Sequence, residues 1–300
     1  MTSAGQKGTY AYELLLDVFE GSIINPKNNF CMGLDYRVPM LHHLLEPDYV
    51  NELRMSPSYN EESFAAEYGS IWRGGAKGSW YSYDKLAKYR KLKNPELHKI
   101  NREGSKHFYI LSVDVGRLHD QTVVCVFRVN PQAEKFYCTL VNIVVLGRTP
   151  ETKPFSIQCR DLKKLIRDYD PMRVIIDGNG LGVGLTDELI KESYDEAGNY
   201  LPAYGFMDND DYKLVQPRDA ICILSMMKAN GKLKSQINSN AYSMLLGGRV
   251  RFLIKEQEAK SALLATKIGQ KMSSLQRIER LMPHELTTRL FEEMANLRVR

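Results

Sequence analysis

Two runs of β-prone, largely apolar residues in this chain each stop on a lone aspartate and turn at glycine. Phe108-Tyr109-Ile110-Leu111-Ser112-Val113-Asp114 is followed by Val115-Gly116, and Arg173-Val174-Ile175-Ile176-Asp177 by Gly178. Short runs rich in β-branched and aromatic residues, bounded by glycine, read as strands of a buried sheet. Two further strand-like runs lie between them, residues 122–129, closed by Asn130-Pro131, and residues 135–146, closed by the turn at 147–150. Three successive strands with short turns predict an antiparallel meander. Ile157, Leu162, Leu165 and Ile166 then recur at helical spacing ahead of the second aspartate-ended strand. Glycines 178, 180, 182 and 184 turn the chain into a helix expected over 186–194. A strand near 200–206 and helix-prone stretches follow. The order β-β-β-α-β-α-β predicts an α/β class with a mixed central sheet flanked by helices.

In a sheet where the fourth strand lies parallel to the first, Asp114 and Asp177 emerge at one edge, side by side. Two adjacent carboxylates repel, and one takes up a proton unless a cation sits between them. Hard oxygen ligands suit Mg²⁺ or Mn²⁺. A pair of such ions, about 3.5–4 Å apart, activates water and stabilises the leaving oxygen in phosphodiester hydrolysis. A single aspartate at a strand end is commonly a turn former or a helix cap; the strand order is what makes the two a candidate pair.

The rest of the composition narrows the partners. Five cysteines are widely spaced without a C-x-x-C pair, which excludes a zinc knuckle or disulfide framework and fits a reducing cytoplasm. The apolar runs are far shorter than the ~20 residues that span a bilayer, and the polar N-terminus lacks a signal-peptide core, so no membrane partner is expected. The net charge is only +5, but Lys85, Lys88, Arg90, Lys91, Lys93, Lys99 and Arg102 crowd into one segment opposed by Glu96. Trp80, Tyr81, Tyr83 and Tyr89 precede and interleave it. Cations mixed with flat rings suit a phosphate backbone and its bases, while a solvated helix face is the plainer alternative. No G-x-x-x-x-G-K-[ST] loop occurs, so no nucleoside triphosphate is cradled in the P-loop manner.

The chain divides, on this reading, at the glycine-rich stretch Arg73-Gly74-Gly75-Ala76-Lys77-Gly78-Ser79. Residues 1–75 hold an amphipathic helix over about 10–19, an apolar patch at 38–45 and an acidic helix pattern from Asn60, which together fall short of a complete domain. Residues 76–105 form a basic linker, and 106–300 carry the α/β domain.

These motifs resemble a known family. Ser112-Val113-Asp114-Val115-Gly116-Arg117 with Asp120, and Val174-Ile175-Ile176-Asp177-Gly178-Asn179-Gly180-Leu181-Gly182-Val183-Gly184 followed by Asp187-Glu188-Leu189, look like the RNase H-like nuclease domain of the large terminase subunit of tailed bacteriophages. Thr2-Ser3-Ala4-Gly5 and Gly8-Thr9-Tyr10-Ala11-Tyr12 resemble the coupling motif and following helix near the end of that family's ATPase domain. Glu62-Ser63-Phe64-Ala65-Ala66-Glu67-Tyr68 resembles the exit from it, and residues 266–272 and 283–287 the later nuclease helices. The resemblance implies an RNase H-like fold and a metal-dependent DNA endonuclease that cuts concatemeric DNA with two Mg²⁺ or Mn²⁺ ions, leaving a 3′-hydroxyl and a 5′-phosphate. It implies double-stranded DNA, a portal protein and a small terminase subunit as partners, in the host cytoplasm and transiently at the procapsid portal. Walker segments are missing, which implies a chain that starts inside the ATPase domain. The family's third acidic ligand has no matching motif after Leu281; it lies beyond Arg300, or Glu256 or Glu258 substitutes.

Residue by residue, Asp114 and Asp177 are the expected metal ligands and catalytic groups. Asp120 either orients a metal-bound water or simply begins the next strand. Lys85, Lys88, Arg90, Lys91 and Lys93 are expected to face DNA, and Arg117 to contact a scissile phosphate or to form a structural ion pair. His107 and His119 are read as neutral surface residues, the Asp208, Asp210 and Asp211 cluster as a solvated loop, and Met226-Met227 and Leu263-Leu264 as helical core. A dinucleotide-binding module is disfavoured, because the glycines do not satisfy G-x-G-x-x-G and Asp177 would repel a pyrophosphate. A catalytically incomplete DNA-binding or assembly module, or a resolvase-like or integrase-like relative, are the remaining alternatives.

Overall fold

The computed structural model describes residues 4–5, 10–56, 59, 61–72, 81–101, 104, 106–116, 120–132, 135–178, 182–207, 215–228 and 230–297. The chain separates into two compact units, one of residues 1–87 with 288–300 and one of residues 88–287. The first unit contains α1 (Tyr10–Ile24), α2 (Arg37–Leu41), α3 (Pro47–Met55), α4 (Glu61–Glu67) and α5 (Tyr83–Ala87). Helix α1 outlasts the expected 10–19 by a turn and buries none of its residues. The apolar patch at 38–45 yields only the short α2. Packing gathers on Phe64, whose ring stacks on Tyr68 at 5.1 Å and lies 5.0 Å from the Arg54 guanidinium. Tyr83 meets Phe291 edge-on at 6.2 Å.

The second unit is built on one eight-stranded sheet. Its strands are β1 (Arg90–Leu92), β2 (Phe108–Asp114), β3 (Thr122–Gln132), β4 (Lys135–Leu146), β5 (Arg173–Asp177), β8 (Tyr204–Phe206), β9 (Ile221–Met227) and β10 (Val250–Leu253), in the spatial order β1-β10-β4-β3-β2-β5-β9-β8. The strands β6 (Ser193–Tyr194) and β7 (Tyr200–Leu201) form a separate small hairpin. β2, β3 and β4 are the expected antiparallel meander, and β5 adds parallel to β2. β9 and β8 then add in parallel on that side, as β10 and β1 do beyond β4. β3 therefore runs against all seven others. The central order β4-β3-β2-β5-β9 is that of an RNase H-like fold.

The helices follow from patterning. In α6 (Phe155–Tyr169), Cys159, Leu162, Ile166 and Tyr169 fall at three- and four-residue intervals, and all are buried. With Leu185 and Leu189 of α7 (Gly182–Leu189) they pack on Leu111, Val113, Val124, Val126, Val174, Ile176 and Leu224 of the sheet. The helix ends where Asp170 takes a left-handed φ of 45° and its N–H bonds to the Ile166 carbonyl. The remaining helices of this unit are α8 (Gly231–Leu246), α9 (Glu256–Leu264), α10 (Lys267–Lys271) and most of α11 (Ser274–Asn296).

Three expectations change. The second helix begins at Gly182 rather than 186 and ends at Leu189, because 193–201 fold back as the β6–β7 hairpin. The strand expected at 200–206 splits in two around Pro202, which has no N–H to give to a ladder. Met226-Met227, expected in a helix, lie in β9, where Met226 packs on the core next to β5.

Candidate metal centre and nucleic-acid interface

β2 and β5 run parallel with Val113 opposite Ile176, so the next pair along the two strands is Asp114 and Asp177. Parallel neighbours stand about 4.8 Å apart, and residues paired across them point to the same face. The burial rhythm of β2, which alternates up to Val113, leaves Asp114 exposed at the tip, with Asp177 half-buried beside it. Partial desolvation holds the Asp114 carboxyl above the usual carboxylate range, and the negative charges of Asp177 and then Asp120 add to it, while the Val115 N–H pulls the other way. The Asp114 carboxyl therefore senses its neighbours' charges through space.

Asp120 is brought in by the turn between β2 and β3. The Gly116 backbone passes so close to that turn that a Cβ there would stand 2.5 Å from Gln121 and 2.7 Å from the Asp120 carbonyl carbon. The corner is fixed from beneath: the buried Thr122 hydroxyl lies 3.1 Å from both the Gly116 N–H and its carbonyl and bonds to the Gln158 side chain. On the other strand, a Cβ on Gly182 would lie 2.0 Å from the Asp177 carbonyl oxygen, and one on Gly184 would meet the Phe155 ring at 2.8 Å. Gly182 and Gly184 thus let α7 pack against the end of β5 and the Phe155 ring.

Among the described residues, no group of three or more His, Cys, Asp or Glu side chains is placed to hold a metal ion. Glu256 and Glu258 begin α9 after β10, three strands from Asp114, or about 14 Å at 4.8 Å per strand. That spacing sets them apart from the aspartate pair.

The basic segment resolves into different roles. Arg90 is a correction: it is 8% exposed, and its guanidinium donates to the carbonyls of Leu253 (2.8 Å), Ile254 (3.1 Å) and His284 (3.3 Å), so it ties β1 to the following elements rather than facing DNA. His284 sits in the same knot, its Nδ1 2.8 Å from the Ile254 carbonyl, and burial depresses its pKa. Glu96 is buried too. It pairs with Arg128 at 2.9 Å and accepts the Tyr109 hydroxyl at 2.7 Å, and its carbonyl accepts from Tyr169. Lys99 pairs with Asp170 at 2.8 Å. Lys85, Lys88, Lys91 and Lys93 are exposed; Lys85 belongs to the first unit and the other three to the second. Arg117, His119, Trp80, Arg102 and the aspartates 208, 210 and 211 lie outside the described residues. His107 is half-buried, with its Nε2 2.8 Å from the Ile100 carbonyl.

Sequence reasoning passed over Arg148. It lies two residues beyond Leu146, whose partner across the ladder is Thr122, while Asp120 lies two residues before Thr122, so both leave the sheet at the same corner. Counting along an antiparallel hairpin would have found it.

Among the described residues, no helix is long and apolar enough to cross a membrane. No family model and no curated protein matches the chain. Among solved structures, it is similar to the large terminase nuclease from thermophilic phage G20c with bound magnesium, with 18% identity and a TM-score of 0.34 over 62% of this chain and 79% of that one. The large terminase from a second thermophilic bacteriophage shares 13% identity at a TM-score of 0.34, over 96% of this chain and 59% of that one. For the HK97 bacteriophage large terminase the figures are 11% and 0.33, over 79% and 50%. What the chain is similar to is thus a set of large terminases and terminase nucleases from several phages.

Proposed function

We propose that the chain is a divalent-metal-dependent DNA endonuclease of a phage packaging terminase, with Asp114 and Asp177 as its metal ligands. One observation carries the reading: the two aspartates stand in register at the tips of adjacent parallel strands, where partial burial and then the charge of Asp177 raise the pKa of Asp114. A site of mutually repelling hard oxygen donors fits Mg²⁺ or Mn²⁺, with water completing the shell. When bound there, such ions would activate water and stabilise the leaving oxygen. The chain's own residues do the rest. Asp114 and Asp177 would supply oxygen ligands from adjacent strand tips, Asp120 would orient a water at the neighbouring corner, and Gly116 and Gly182 keep the backbones close enough to hold that spacing. Residues 1–75 would be the end of an ATPase domain, whereas the segment expected as a linker gives β1 to the main sheet. Portal protein and small terminase subunit would be the assembly partners in the host cytoplasm, with concatemeric duplex DNA as substrate.

A second reading keeps DNA binding without cleavage, and the absence of a three-residue ligand cluster among the described residues favours it. Plasmid nicking in Mn²⁺ and calorimetric Mn²⁺ titration of the chain and its Asp177→Asn variant separate the two. The nuclease reading expects both nicking and metal heat to fall in the variant. If neither differs between the proteins, that reading is wrong.

A further inference from the structure

The corner that carries Asp114 and Asp120 is tied to α6 through one glutamine. Gln158 is the fourth residue of that helix and is 1% exposed. Its Nε2 donates to the Lys153 carbonyl, just ahead of the helix, at 2.6 Å. An amide side chain has donors at one end and only an acceptor at the other, so this bond turns Oε1 toward the buried Thr122 hydroxyl. That hydroxyl has a single hydrogen. It goes to Oε1, the nearer of two acceptors, and the Thr122 oxygen in turn accepts the Gly116 N–H at 3.1 Å. The result is a directed chain from Gly116 through Thr122 and Gln158 to Lys153, with donor and acceptor matched at every step. The same glutamine lies against the exit of β4, where Gly147 has a left-handed φ of 65° and a Cβ would stand 3.0 Å from Nε2.

Both residues joined by the Thr122 hydroxyl border an aspartate. Gly116 comes two residues after Asp114, and the N–H of Val115 between them bonds to the Asp114 carboxyl. Thr122 itself comes two residues after Asp120 and opens β3 opposite Leu146. One hydroxyl therefore sets how the two aspartate-bearing backbones stand to each other. We propose that Gln158 is a positioning residue of this centre: by holding the Thr122 hydroxyl toward α6, it fixes the Gly116 corner, and with it the place from which Asp114 meets a divalent ion and Asp120 its water. The proposal rests on the nuclease reading and adds to it a residue that acts through another. A buried glutamine needs hydrogen-bond partners wherever it sits, and satisfying them is the plainer role. What sets Gln158 apart is that its partner's other bond is to the turn between two of the acidic residues.

Calorimetric Mn²⁺ titration and urea unfolding of the full chain read the two roles separately. Gln158→Met roughly keeps the volume and removes both polar ends. Its Mn²⁺ affinity is expected to fall about 10-fold, the lower end of the range for residues that orient metal ligands. Thr122→Val, similar in shape but without the hydroxyl, is expected to lose about as much, and Thr122→Ser to stay near the parent. The Gln158→Met/Thr122→Val double variant is expected to lose no more affinity than either single one, because the chain is broken only once. Asn142→Ala is the control: it removes a buried side-chain bond to the Tyr169 hydroxyl, 2.8 Å long, from the same sheet. It is expected to weaken folding and leave Mn²⁺ affinity unchanged. Parental Mn²⁺ affinity in Gln158→Met and Thr122→Val, a loss in Thr122→Ser equal to that in Thr122→Val, or an equal loss in Asn142→Ala overturns the positioning role and leaves the nuclease reading intact. A parent chain that takes up no Mn²⁺ removes both.

Discussion

Neutralising Asp114 should make the metal-free protein more stable and the metal-loaded one comparatively less so. Two unit charges about 5 Å apart repel by roughly 0.8 kcal/mol in water and about 3 kcal/mol at an effective dielectric constant of 20. Asp114 is exposed at the strand tip, so solvent screening places the relief in Asp114→Asn near the lower figure, at about 1 kcal/mol. In a unit the size of residues 88–287, that raises Tm by about 2–4 °C. The sign depends on pH. The folded carboxyl has a raised pKa, so the folded state binds more protons than the unfolded one just above the ordinary value of 3.8, and its stability falls as pH rises through that window. The gain from Asp114→Asn is therefore present at neutral pH and shrinks as the solution is acidified. Divalent ions reverse the order. At a concentration about 100 times its Kd, a ligand that binds only the folded state adds about 2.7 kcal/mol, and the variant loses much of that. Scanning calorimetry of both proteins in EDTA and in Mn²⁺ reads both effects. A variant that melts below the parent in EDTA, or the same Mn²⁺ shift in both proteins, refutes the reasoning.

Gly182→Ala places a methyl 2.0 Å from the Asp177 carbonyl oxygen; unfolding in urea should show a loss of about 1–3 kcal/mol, with weaker Mn²⁺ heat as the Asp177 corner shifts. Glu96→Ala removes the carboxylate 2.9 Å from the buried Arg128 guanidinium and should cost about 3–5 kcal/mol in the same assay. Burial depresses the pKa of His284, and the Arg90 charge adds to this, so the unfolded state binds the extra proton and stability should fall as pH drops below 6.5. His284→Gln should flatten that part of the profile, and an unchanged slope would count against the buried knot around Arg90. Burial pushes the Cys159 thiol up to about 12, so a thiol reagent at neutral pH should label the exposed Cys222 and spare Cys159 until the protein is unfolded.

What the residues alone determine is local and periodic. Alternation along 108–114 and 122–129, helical spacing from Cys159 to Tyr169, and an aspartate followed by glycine at two strand ends are written in neighbouring positions. They are enough to foretell a meander, a crossover helix and a parallel return strand, and so the pairing of Asp114 with Asp177. The departures arise where a residue's fate depends on partners far along the chain. Arg90 and Glu96 look like any members of a charged surface run, yet carbonyls some 160 to 190 residues downstream claim the first, and Arg128 and two tyrosines surround the second. A period of two reports which side a strand shows, not which strand lies beside it. Only the folded sheet could set β1 against β10, bring Met226 next to β5, and place Lys93 and Arg148 on the edge that carries the aspartates, because burial and hydrogen-bond pairing between distant segments are decided together by the whole core.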